Sequence, residues 1–216
     1  MRGLSPFEKV ILPCCYFPNI DWILAAANAD EVFIEKHENF SKQTYRNRMR
    51  ILSANGVQDL ILPVLNKNSK EGITQMQVNH DENWAWNHWH SVKSAYGKSP
   101  YFEYYEHHFE AFFRSAENWN LWQINLNSIQ LSFNLLKLDL DVEFTKEFKA
   151  EYGVNGDLRK QFKPSKHPQL FHQEKYLQVF ADRFDFKPNL SVLDLLFNLG
   201  PQSLAYILKQ ELNPYH

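Results

Sequence analysis

A predicted β-α-β unit in the first 35 residues constrains the fold more than any other feature of this chain. The apolar run at 10–12 is typical of a buried strand, residues 19–28 have helical periodicity, and a second strand is predicted at 31–35. In an open α/β sheet the ligand crevice lies beyond the carboxyl ends of the parallel strands. We therefore expect an α/β fold whose site lies near residues 13–18 and 36–39.

Antiparallel strands and a helical second half are predicted to follow this unit. Strands at 44–52 and 59–65 flank Asn55-Gly56, a pair that is strongly favoured in hairpin turns. Alternating segments at 73–79 and 142–148 indicate further strands. Helices are predicted from Trp84, after the capping pair Ser99-Pro100, from Asn120, at 173–184 and at 191–198.

The chain is expected to form one domain over residues 1–216, with a mixed α/β core at about 9–80 and a mainly helical portion at 84–216. Residues 151–172 are predicted to form a long loop. This loop carries the basic side chains Arg159, Lys160, Lys163 and Lys166. One hypothesis is that it closes over an anionic ligand, and the other is that it is a solvated connector.

Composition excludes some classes of function. A formal net charge of -2 argues against a dedicated nucleic-acid-binding protein, which is usually strongly basic. No apolar run has the length of a membrane span or of a signal-peptide core, so a cytoplasmic protein is expected. No two histidines have the four-residue spacing of a helical metal site, and the adjacent Cys14 and Cys15 are expected to be free thiols. The sequence identifies neither a cofactor nor the oligomeric state.

A row of arginines is the strongest functional signal. On a strand at 44–52, Arg46, Arg48 and Arg50 would project from one face, because side chains alternate along a strand. No acidic residue occurs between Glu38 and Asp59, so nothing nearby in sequence is expected to neutralise the row. Guanidinium groups suit phosphate or carboxylate recognition. The alternative is a solvated face whose arginines pair with distant acids.

A segment at 84–109 is half aromatic or histidine. Aromatic residues at helical spacing usually belong to the core, and this interpretation fits Trp89 and Tyr96. His88 stands beside three tryptophans and can titrate near neutrality, which makes it a candidate general base. The alternative for His88 is a hydrogen bond in a structural network.

Several motifs resemble the WbqC-like protein family. They are Tyr45-x-Asn47-Arg48, Leu62-Pro63-Val64, Trp84-x-x-x-His88-Trp89, Asp157-Leu158-Arg159 and the segment 188–198. Together these motifs extend over nearly the whole chain after residue 10, and they are most similar to those of the branch found in Bacteroidetes. Some members are encoded in O-antigen gene clusters, where a glycine-transferase role has been suggested. The resemblance therefore implies transfer of a small acyl or aminoacyl group onto an anionic, sugar-linked precursor.

The chain departs from the family pattern at two places. Many members have Gln-Pro-x-Tyr near the first strand, whereas residues 13–18 contain no glutamine. Glu35, Lys36 and His37 stand where family members carry aspartates. If those groups contact substrate elsewhere in the family, the substrate or the chemistry differs here.

Two functional hypotheses follow. In the first, a transferase binds its substrate through Asn39, Lys42, Arg46, Asn47, Arg48, Trp84 and Trp89, with His37 or His88 as general base. The arginines and Lys42 would hold the anion, the asparagines would orient it, and the two tryptophans would form a sugar-stacking wall. In the second, the chain is a non-catalytic carbohydrate-precursor-binding or scaffold protein. That hypothesis predicts a flat apolar patch and arginines committed to internal carboxylates.

Overall fold

A computed structural model describes residues 5–66, 70–165 and 169–213. Its strands are β1 (Phe7–Pro13), β2 (Ala29–Glu35), β3 (Arg48–Ser53), β4 (Gly56–Ile61) and β5 (Val142–Phe144). Its helices are α1 (Ile20–Ala27), α2 (Trp84–Tyr96), α3 (Phe102–Ser115), α4 (Leu121–Leu136), α5 (Val192–Leu199) and α6 (Ser203–Lys209). Lys166 of the predicted basic loop lies outside the described residues. Within the described ranges, no helix is long and apolar enough to cross a membrane.

The predicted β-α-β unit is confirmed. Strands β1, β2 and β5 form a parallel sheet in the order β1-β2-β5, with Val10 paired to Val32. Every residue of α1 is buried, and the side chain of Asn19 caps this helix by accepting a hydrogen bond from Trp22 N. On the free edge of β1, Asp157 forms a parallel bridge with Ile11. The segment around residue 157 therefore covers an edge that would otherwise be unpaired.

The predicted hairpin is confirmed, but its first strand starts later than expected. Strands β3 and β4 pair antiparallel around residues 54–55. The Thr44 side chain accepts a hydrogen bond from Arg46 N and caps a 3₁₀ turn over Tyr45–Asn47. A threonine that bonds its own backbone in this way competes with strand pairing. The prediction that Arg46 shares a strand face with Arg48 and Arg50 is therefore wrong.

The helical second half is confirmed with corrections. Asn120 begins α4 with a complete capping box, but Ser99 does not cap α3, because its hydroxyl donates to Tyr96 O and Tyr101 precedes the helix. The predicted helix at 173–184 is wrong, since no described residue there is helical. Gln173 instead donates to the buried Asp21 carboxylate at 2.8 Å. At 73–79 there is only an isolated bridge, from Val78 to Val64, and the late strand stops at Phe144.

A buried carboxylate ties α5 to the surrounding chain. The Asp194 side chain accepts hydrogen bonds from Tyr96 (3.0 Å), Tyr176 (2.5 Å) and Gln178 (2.8 Å). Burial raises the pKa of Asp194 to about 6, although these three donors lower it. The native state therefore binds this proton more tightly than the unfolded chain.

We expect Asp194 to make the free energy of unfolding depend on pH. Its contribution is fully present below the unfolded pKa near 4 and is lost as the pH rises through about 6. Relative to Asp194→Asn, the wild type should lose roughly 2–3 kcal/mol between pH 4 and pH 7. Urea unfolding of both proteins across that range measures the difference. A difference that stays constant with pH would contradict the assignment.

Candidate functional site

The carboxyl ends of the parallel strands, where the sequence placed the ligand crevice, are filled by the protein's own ionic groups. Glu35 ends β2 and is fully buried. Its carboxylate accepts hydrogen bonds from the His37 backbone N–H (2.8 Å), the Thr145 hydroxyl (2.7 Å), the Tyr152 hydroxyl (2.9 Å) and Arg159 Nη1 (3.1 Å). A buried carboxylate with four donors is satisfied internally.

Arg159 brings the predicted basic loop onto this carboxylate. Its guanidinium also forms two parallel hydrogen bonds to Asp157, at 2.7 and 2.6 Å, and Nη1 donates to Lys149 O at 2.8 Å. Burial acts to raise the pKa of Asp157, but the hydrogen bonds and the positive charge of Arg159 together lower it below its usual value. Lys160 and Lys163 remain exposed. The loop thus closes over internal carboxylates through its arginine, and its described lysines, Lys160 and Lys163, face solvent.

Arg46 is committed to a second buried pair. It binds both carboxylate oxygens of Glu38 through Nε and Nη2, and both residues are buried. Burial raises the pKa of Glu38, although Arg46 lowers it. The two acids that flank the arginine row in sequence, Glu38 and Asp59, are therefore the acids that pair with it. The expectation that nothing nearby in sequence neutralises the row is wrong.

Three of the other predicted residues of this region are exposed, and the fourth is buried next to the hairpin. His37 is exposed, and its Nε2 donates to the carbonyl of Thr145 at 3.0 Å. Asn39 and Lys42 are exposed as well. Asn47 is buried and donates to Leu62 O at 3.0 Å. Asn47 thereby joins the 3₁₀ turn to the end of the hairpin.

The aromatic candidates lie in the core. The Tyr16 hydroxyl is 3.0 Å from His88 Nδ1, and burial lowers the pKa of His88 to about 4, so this imidazole is neutral at pH 7. Trp84 is buried and donates to His80 Nδ1 at 3.2 Å. Trp89 packs between two phenylalanine rings. These contacts fit the structural alternative for His88 and place neither Trp84 nor Trp89 on an open surface.

Arg48 and Arg50 do share one face of β3, as predicted, and both pair with Asp59 of β4. Arg48 Nη1 lies 2.7 Å from one carboxylate oxygen and Arg50 Nε lies 3.0 Å from the other. Beside them is a cavity of about 490 Å³, which we call the hairpin cavity. It is lined by Tyr45, Arg50, Val57, Asp59, Pro164, Gln169, Lys187, Pro188, Asn189 and Leu190.

The side chains of the hairpin cavity carry an excess of positive charge. Arg50 and Lys187 line it with Asp59 as the acidic residue, and Arg48 adds a second positive charge to that carboxylate. Tyr45 also lines the cavity and is only 4% exposed. Burial raises the pKa of Tyr45 to about 12, so the hydroxyl keeps its proton at neutral pH. The arrangement suits a carboxylate or phosphate ligand.

Sequence reasoning missed Tyr45 and Lys187 as cavity residues. Tyr45 stood in a motif shared with a family, but only as part of a predicted strand. Lys187 follows Arg50 by more than a hundred residues, and no local pattern links them. In the ranges that the structure describes, no group of three or more histidine, cysteine, aspartate or glutamate side chains is placed to hold a metal ion.

Comparison with known proteins gives a family and no closer relative. Neither a curated protein nor a solved structure matches the chain. A family model described as the WbqC-like protein family matches residues 14–158, which include α1, the hairpin, α2, α3 and α4. Because this match covers well over half of the 216 residues, the chain belongs to the WbqC-like protein family.

Proposed function

We propose that this protein binds an anionic, sugar-linked precursor of surface-polysaccharide biosynthesis in the hairpin cavity. The observation that carries the proposal is that two cations, Arg50 and Lys187, line the same cavity of about 490 Å³. Positively charged side chains that face one cavity favour a carboxylate or phosphate ligand. The role in polysaccharide synthesis rests on the family resemblance.

The charges of the cavity favour an anion over a neutral ligand. Asp59 holds Arg48 and Arg50 on one face of the hairpin, which fixes the Arg50 guanidinium before any ligand arrives. Arg50 also donates to Pro164 O at 3.3 Å, so both sides of the cavity fix its position. The guanidinium can recognise a carboxylate or phosphate through paired hydrogen bonds, with Lys187 as a second cation.

Transfer of a small acyl or aminoacyl group, such as a glycyl group, onto the bound precursor is the reaction that the family resemblance implies. A sugar amine or hydroxyl would attack the carbonyl carbon of an activated donor and lose one proton, and the donor's leaving group would depart. Asp59 is the carboxylate within the cavity that can accept this proton. Arg48 and Arg50 hold this carboxylate in position through their ion pairs.

A non-catalytic precursor-binding or scaffold role has its own support. Arg46 and Arg159 are committed to buried carboxylates, as that hypothesis predicts. Mass spectrometry of the precursor after incubation with protein and activated donors separates the two roles. A precursor that gains the mass of the acyl group indicates a transferase, and an unchanged precursor that still binds indicates the other role.

We expect an anionic sugar nucleotide to raise the melting temperature of the wild type and not of Arg50→Ala. At about a hundred times its dissociation constant a ligand stabilises by about 2.7 kcal/mol, or roughly 5–10 °C for a chain of this length. A thermal-shift panel of nucleotide sugars, uronic acids, nucleotides, amino acids and acyl-CoA measures the effect. Lys160→Ala is the control, because it removes an exposed cation that does not line the cavity. A shift that survives in Arg50→Ala would contradict the proposal.

A further inference from the structure

One tryptophan is exposed although its neighbours in sequence are buried. Trp86 of α2 is 62% exposed, whereas Trp84 and Trp89 belong to the core. The His90 ring stacks on the Trp86 indole with 3.7 Å between ring centroids, and His90 Nδ1 donates to Trp86 O. An indole held in place by a stacked ring, with much of its surface in water, is typical of a binding surface rather than of a packing position.

Trp86 lines a groove of about 320 Å³ between α2 and α3. Residues three and four apart on a helix share a face, and each helix contributes one such stripe. The stripe of α2 is Trp86, Trp89, His90 and Lys93, and the stripe of α3 and the turn after it is Glu110, Phe113, Arg114 and Glu117. Trp89 stacks on Phe113 at 5.9 Å, which closes the groove toward the core.

The charges along this groove balance. Lys93 and Arg114 oppose Glu110 and Glu117, and Arg114 Nη2 lies 2.8 Å from Glu110 Oε1. The groove therefore does not select an ion, unlike the hairpin cavity. It offers both donors and acceptors beside an aromatic surface, and a volume at the low end of the range for ligand pockets, about 300–1,000 Å³.

We propose that this groove, the Trp86 groove, binds an uncharged pyranose ring. One face of a pyranose carries mainly C–H groups and packs on an indole, while its hydroxyls exchange hydrogen bonds with carboxylates and guanidiniums. Trp86 supplies the indole, and Glu110 and Arg114 supply the polar partners. The groove shares no lining residue with the hairpin cavity, so this inference does not depend on the proposed function.

Saturation-transfer NMR with methyl β-glucopyranoside, methyl β-galactopyranoside and lactose tests the proposal. We expect at least one of them to bind the wild type with a dissociation constant of roughly 1–10 mM, corresponding to about 3–4 kcal/mol. Trp86→Ala should weaken that binding at least tenfold. The matched control is Tyr104→Ala, which removes an equally exposed aromatic side chain (65%) from α3, outside the groove. Both substitutions are at exposed positions, so both variants should fold.

Any one of three results with these neutral sugars would overturn the assignment. The first is that none of these sugars binds at about 100 mM. The second is that a sugar binds Trp86→Ala as tightly as the wild type. The third is that Tyr104→Ala weakens binding as much as Trp86→Ala does. Binding of only charged sugars, lost in Arg50→Ala, would also overturn it while supporting the hairpin cavity. Binding of neutral sugars with no response to any anionic sugar nucleotide would instead support the Trp86 groove and contradict the proposed function.

Discussion

Replacing Arg46 by methionine is expected to lower the free energy of unfolding by about 3–5 kcal/mol, the usual cost of breaking a buried ion pair on one side. Glu38 is buried, and Arg46 contacts both of its carboxylate oxygens. Methionine fills similar space but donates no hydrogen bond, so the carboxylate is left without its counter-charge. Urea unfolding measures the loss as a lower midpoint with an unchanged slope.

Two further variants make this prediction specific. The double variant Arg46→Met/Glu38→Met should recover most of the loss, because an apolar pair can replace a buried ion pair at little cost. Arg48→Met is the matched control from the same arginine row. Its partner Asp59 keeps Arg50 and is partly exposed, so the expected loss is about 1 kcal/mol or less. Equal losses for Arg46→Met and Arg48→Met would contradict a structural role that is specific to Arg46.

Replacing Gly156 by alanine is expected to cost about 3–5 kcal/mol, by combining overpacking with the loss of a buried ion pair. A Cβ atom at this position would lie 1.8 Å from Lys9 O and 2.8 Å from Lys9 C. These are backbone atoms of β1, so a side chain cannot simply rotate away. The bonds Ile11 N to Gly156 O (2.8 Å) and Leu158 N to Ile11 O (3.0 Å) would have to separate.

The same displacement would move Arg159 away from Glu35, because Arg159 follows the bridged segment directly. Gly72→Ala is the matched control, since a Cβ at Gly72 has no atom within 4 Å and its backbone is not in the left-handed region. Chemical denaturation compares the two variants, and limited proteolysis should cut the 145–162 segment faster in Gly156→Ala alone. A Gly156→Ala protein as stable as Gly72→Ala would refute the close approach of this segment to β1.

Local sequence signals predicted most of the fold. The apolar run of β1 and the capping residue Asn120 each act within a few residues, and each is found where the sequence places it. The hairpin turn lies at residues 54–55, one residue before the predicted Asn55-Gly56 pair. The start of β3 was missed for a local reason too. Thr44 can either extend a strand or cap a turn with its hydroxyl, and alternation alone does not distinguish these choices.

Long-range pairing explains what the sequence could not predict. Glu35 and Arg159 are 124 residues apart, so nothing near either residue indicates that the second fills the crevice beside the first. The helix predicted at 173–184 does not form for the same reason, because Gln173 donates a hydrogen bond to Asp21 of α1. The alternation of Arg48 and Arg50 was correct, but the cavity that gives Arg50 its significance needs Lys187 from the far end of the chain.

The carboxyl ends of the parallel strands and the hairpin cavity have different roles. At the carboxyl ends of β1 and β2, buried acids and arginines satisfy one another and hold the 145–159 segment in place. At the hairpin, Arg50 and Lys187 line a cavity of ligand size. We therefore expect ligands at the hairpin cavity, and not at the crevice where an open α/β sheet normally binds them.

Calorimetric titration of UDP-glucuronic acid, which carries both phosphate and carboxylate groups, tests this claim most directly when Arg50→Ala and His37→Ala are compared with the wild type. Arg50 lines the hairpin cavity, and His37 is the exposed side chain beside the filled crevice. We predict at least tenfold weaker binding in Arg50→Ala and unchanged binding in His37→Ala. Binding that is lost in His37→Ala and kept in Arg50→Ala would place the ligand at the strand ends and contradict this account.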